Sequence, residues 1–114
     1  MNLKKQTLDE LYDTRTLMAS TIWELELREE KKEIREKSNL CKLQIQLAIL
    51  KLENAKLKNI KDNLISNEKQ LKETTKKLKK TKENLDNIAD VINSVAGFIS
   101  VVGKIVVDIA LPDL

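Results

Sequence analysis

The chain has 114 residues, 41% apolar and 34% charged, and its net charge of +3 comes from 21 basic and 18 acidic side chains. That is the size and balance of one globular domain, and the mild charge gives no global case for a nucleic-acid binder. With no histidine, a single cysteine and no glycine-rich phosphate loop among its two glycines, it offers no catalytic residues, no metal ligands and no cofactor site, so an enzyme is not expected.

Punctuation is scarce along the chain. Gly97, Gly103 and Pro112 all lie near the C-terminus, so the first 96 residues hold no strong helix breaker. The expectation is an all-α chain in one helical domain over 1–114. Residues 1–6 read as a frayed leader, and Thr7 with Glu10 forms a capping box that opens a first helix over 7–37. Thr21 with Glu24 repeats the pattern and marks Ser20 as a candidate break. No apolar stretch of the length a secretory signal needs appears near the start, and Cys41 alone cannot form an intramolecular disulfide, so the expected location is the cytoplasm, with a membrane surface as the other place considered.

From Glu24 to Lys37 six glutamates face five basic residues, which makes a solvated helix, and Ser38-Asn39 is the candidate turn that ends it. A column of apolar residues at every seventh position then begins: Leu43, Leu50, Leu57, Leu64, Leu71, Leu78, Leu85, Ile92, Ile99 and Val106. Seven residues make nearly two helical turns, so the column is a seam on one side of a long helix. Around its start are two stripes, Leu40, Leu43, Leu47, Leu50 and, rotated from it, Cys41, Ile45, Ile49, Leu52; a helix with two apolar faces has two neighbours. Residues 40–84 form the predicted coiled-coil stalk. Asn67 with Gln70 could cap a new helix there, but the unbroken leucine phase from Leu57 to Leu85 favours continuity.

The stalk is rich in lysine, seven against three glutamates from Glu68 to Glu83. Lys76, Lys77, Lys79, Lys80 and Lys82 are the candidate contacts to an anionic surface, with a solvated helix face as the plainer reading. A basic leucine zipper places an arginine-rich region before its leucines, whereas here lysines lie among them and arginines number three, so nucleic acid is not an expected partner.

Over 85–111 the seam widens. Ile88, Val95, Val102 and Ile109 join it, with Val91, Phe98 and Ile105, and with a column of small residues, Ala89, Ala96, Gly103 and Ala110, that would let helix backbones approach closely. The longest uncharged run, Val91 to Gly103, is 13 residues, short of the ~20 a single-pass anchor needs. Taken as one helix, 40–110 would be about 105 Å long against about 46 Å for 7–37. An elongated helical hairpin or coiled coil of that shape leaves half its seam bare and implies a homo-oligomer of more than two chains, or a tight protein partner.

The expected function is a non-enzymatic, self-assembling coiled-coil protein, acting as a structural or interaction module. The alternative is a membrane-active, helical pore-forming protein that inserts 85–111 as an oligomer.

Overall fold

The computed structural model describes residues 2–106, and among them every regular element is helical. Helix α1 runs Leu3–Met18 and is opened by Asn2, whose side chain accepts the Lys5 N–H at 3.0 Å. It therefore starts a turn before the capping box predicts. Asparagine caps as well as threonine does. Thr7 is instead buried inside the helix, its hydroxyl donating to the Leu3 carbonyl at 2.7 Å.

The candidate break at Ser20 is real. Its hydroxyl accepts the Trp23 N–H at 3.2 Å and opens the short helix α2, Thr21–Arg28. Helix α3, Lys32–Asn54, then runs straight through Ser38-Asn39, where a turn was expected. The Ser38 hydroxyl faces the core and accepts the Trp23 indole N–H, so it is not acting as a cap, and nothing from Lys32 to Asn54 breaks a helix. The expected first helix over 7–37 is thus two helices and the start of a third, divided at Ser20 and at residues 29–31.

The single helix expected from residue 40 onward is interrupted three times. Ala55 and Lys56 are extended, and the Lys4 ammonium of α1 donates to the Ala55 carbonyl at 2.7 Å. Helix α4, Leu57–Ser66, is separated from α5, Glu68–Thr81, by Asn67 alone. Asn67 closes α4 more than it opens α5, because its side-chain amide donates back to the Asn63 carbonyl at 2.8 Å. After α5 the chain reverses through residues 82–84 and a 3-10 turn, Leu85–Asn87, into α6, Ile88–Ile105. The Asn84 side chain holds this reversal by accepting the Asp86 N–H at 3.2 Å.

Helix α6 is the centre of the bundle. It lies antiparallel along α5, and its far end is tied back by Lys104, which donates to Gln70 at 3.2 Å, and by Asn63, which donates to the Ile105 carbonyl at 3.1 Å. Its other faces meet α3 and α4, and α3 in turn lies between α6 and α1. Tyr12 of α1 donates to Glu53 of α3, and Lys37 of α3 donates to Asn93 of α6 at 2.6 Å.

The molecule measures 44 × 26 × 18 Å, a compact bundle in place of a rod. Ile88, Ile92, Val95, Ile99, Val102 and Val106 are buried within one chain. Each such side chain is worth roughly 1.5 to 3 kcal/mol of burial. The reason for expecting an oligomer, a seam left bare in the monomer, therefore disappears for the C-terminal half.

Candidate interaction surfaces

The heptad column divides into two fates. Leu64, Leu71, Leu78, Ile92, Ile99 and Val106 are buried and Leu85 is half-buried, all serving the internal core. Leu43, Leu50 and Leu57 are 53%, 56% and 56% exposed. On α3 the stripe Cys41, Ile45, Ile49, Leu52 is the buried one, while Leu40 and Leu47 are half-buried beside exposed Leu43 and Leu50. Both neighbours of α3, α1 and α6, are thus accounted for, and a row of leucines at alternating spacings of three and four still faces outward. Ile22 and Leu25 of α2 are also exposed, and Lys42 of α3 pairs with Glu24 of α2 at 2.8 Å beside them. Large apolar side chains left open in a row are unusual on the surface of a monomer.

The small-residue column lies along the edge of α6. Ala89, Ala96 and Gly103 are all half-buried, and Ala110 falls outside the described residues together with the rest of the 107–111 segment. The stretch Leu85–Ile105 is long and apolar enough to cross a membrane, and just over half of it is buried in the bundle, as the core helix of a soluble protein also would be. Its solvent side carries Asp90, Asn93, Gly97, Ser100 and Lys104. A Cβ added at Gly97 would meet no atom within 4 Å.

Charge is sharply segregated. Residues 56–81 carry nine lysines and three acidic side chains, a net of +6; residues 1–55 are neutral, with ten of each sign, and residues 82–114 carry two lysines against five acids. The whole positive excess therefore sits on α4 and α5. Lys76, Lys77, Lys79 and Lys80 are exposed there. Lys72 pairs with Glu68 at 3.3 Å, and Lys79 comes within 4.0 Å of Glu10.

Lys82 does not belong with the other lysines. Its side chain is 10% exposed and its ammonium is held by Glu10, by Asp13 at 2.7 Å and by the Thr14 hydroxyl at 3.4 Å, so it braces the end of α5 against α1. Glu10, expected as the partner of Thr7 in a capping box, is instead the acidic side of this brace, and its spacing carries a signal for that. Thr7, Glu10, Thr14 and Met18 follow helical spacing and are all buried, a partly polar stripe turned inward. Between α1 and α5 runs a groove of about 510 Å³, with Leu3 and Leu71 on its floor and Lys72, Lys76 and Lys79 on one wall.

Among the described residues no group of acidic, histidine or cysteine side chains is placed to hold a metal ion. The hydroxyl of Ser94, on α6, is buried without a hydrogen-bond partner there. No protein-family model, curated protein or solved structure matches this chain.

Proposed function

We propose that the protein is a non-catalytic helical interaction module of the cytoplasm that associates with a second copy of itself through the outer face of α3. The observation that carries this reading is the outward row on α3, where Leu43 and Leu50 are more than half exposed with Leu40 and Leu47 half-buried beside them, although Leu64, Leu71, Leu78, Ile92, Ile99 and Val106 of the heptad column are buried. Spacings of three and four are those of coiled-coil core positions, so the face suits a short coiled-coil pairing with the same row on a partner helix. A row two residues wide fits a pair of helices. The columns of Ile88, Val91 and Ile92 on α6, which on a bare helix would call for more than two chains, are buried within one chain over the described residues. Light scattering at micromolar concentration tests the reading: the native chain is expected to form a dimer and a Leu43→Glu, Leu50→Glu variant a monomer. A native chain that is strictly monomeric removes it.

A second reading is supported by α6. A helix long and apolar enough to cross a bilayer, wrapped by amphipathic helices, is the arrangement a membrane-active protein would keep in solution, releasing α6 to insert with other copies. Gly97 provides a clean test. It lies on the exposed side near the middle of the stretch, where a side chain has room, so Gly97→Lys preserves the bundle. A charge there costs about 2.5 to 3.5 kcal/mol inside a bilayer. Dye release from anionic liposomes by the native chain, abolished in Gly97→Lys, supports insertion; equal release by both excludes α6 as the inserting element.

A further inference from the structure

The positive excess of this chain is arranged as well as concentrated. The buried side of the α4–α5 arm is formed by Ile60, Leu64, Leu71 and Leu78, whose spacings of four and seven carry one face across the break at Asn67. The opposite side of the same arm is therefore also continuous. Stepping by three or four, it carries Lys58, Asp62, Ile65, Lys69, Glu73, Lys76 and Lys80. Lys61, Lys72, Lys77 and Lys79 flank it. Among the described residues no carboxylate lies within ion-pair distance of Lys69, Lys76, Lys77 or Lys80. Among the described residues Ile65, 61% exposed, is the most open large apolar side chain, and on this row it stands between Asp62 and Lys69 with Lys61 beside it.

We propose that the outer ridge of α4–α5 is a docking surface for an anionic lipid bilayer. Lysines along one face of a surface helix, with an isolated aliphatic side chain projecting between them, suit an interface where ammonium groups meet lipid phosphates and carboxylates and the aliphatic group enters the acyl boundary. Nucleic acid fits less well. The arm has no arginine for bidentate phosphate or base contacts and no aromatic side chain on which a base could stack. The position of the ridge gives docking a consequence, because α6 lies directly beneath α5 along the length of both helices. A bilayer held against α5 is one helix layer away from the apolar stretch Leu85–Ile105.

This inference deepens the membrane-active reading by naming the surface and the lipid charge, and binding is separable from leakage. Sedimentation with phosphatidylcholine–phosphatidylserine vesicles measures the first, and dye release the second. The native chain is expected to co-sediment with the mixed vesicles, not with pure phosphatidylcholine, and to be released by about 0.5 M salt, which shortens the reach of exposed charges. Each lysine at the surface contributes roughly fivefold to binding, so a triple Lys69→Gln, Lys76→Gln, Lys80→Gln variant should bind on the order of 100-fold more weakly. All three positions are exposed and opposite the buried face, and helical circular dichroism identical to the native chain verifies the fold; a single Ile65→Ser substitution provides an independent arm, with a smaller loss. Absence of binding to the anionic vesicles, binding that the triple variant retains in full, or binding of duplex DNA without vesicles would each overturn the proposal. Vesicle binding without dye release leaves docking in place and removes only the insertion of α6.

Discussion

The indole N–H of Trp23 donates to the hydroxyl of Ser38 at 3.1 Å, and both residues are fully buried. Together with the Lys42–Glu24 pair this bond ties α2 to α3, and it explains why a serine that favours turns sits inside a 23-residue helix. Ser38→Ala leaves the indole N–H without a partner in the core, at a cost of about 1 to 3 kcal/mol. Urea unfolding followed by the fluorescence of Trp23, the chain's only tryptophan, should show a lower midpoint with an unchanged slope. An unchanged midpoint would mean that the bond contributes nothing.

Lys82 and Glu10 make the second tie between distant parts of the chain. Breaking a buried ion pair by removing one partner is more damaging than removing both, because the survivor is left charged and unpaired. Lys82→Met is therefore expected to destabilise by about 3 kcal/mol, and the double variant with Glu10→Leu by less than the single. A double-mutant cycle measures the difference. Additive losses would show that the brace is exposed to water in solution.

The thiol of Cys41 is pushed above its ordinary range by burial, with the ammonium of Lys37 pulling the other way. Below roughly pH 8.5 the thiol is protonated in both the folded and unfolded chains and contributes no pH dependence. Above it the unfolded chain releases a proton that the folded chain retains, so stability falls as pH rises toward the folded-state value. The Cys41-dependent part of that decline should vanish in Cys41→Ala. A thiol reagent should label the folded protein far more slowly than the urea-unfolded one, and equal rates would contradict the burial.

Much of α3 was legible in the sequence. Its two apolar stripes are where the spacing puts them, and the cap at Ser20 opens a helix as the Thr21–Glu24 pattern suggests. What the sequence concealed were the breaks at Ala55–Lys56 and at residues 82–84. A seven-residue phase that continues across a position suggests that the helix continues. In a folded-back bundle it means less, because each arm needs an apolar residue on its inner face, and a three-residue reversal can leave Leu78 and Leu85 seven apart. The role of Lys82 is concealed for a related reason: it stands in a run of lysines expected on the solvated face, but its position one helical turn after buried Leu78 directs it inward toward Glu10.

Leu50 and Leu78 have the same residue type and the same heptad phase, but Leu50 is 56% exposed on α3 and Leu78 is fully buried between α5 and its neighbours. In one continuous, self-associated coiled coil the two would be equivalent, and alanine at either would cost a similar amount. In the bundle Leu78→Ala opens a core cavity and should cost about 2 to 5 kcal/mol. Leu50→Ala should change the stability of the dilute monomer by about 0.5 kcal/mol or less, since more than half of that side chain is open to solvent. Chemical denaturation at two protein concentrations separates the outcomes. A cost at Leu50 that grows with concentration assigns that leucine to the interface between copies, and a cost equal to that at Leu78 at every concentration would contradict the division of the column.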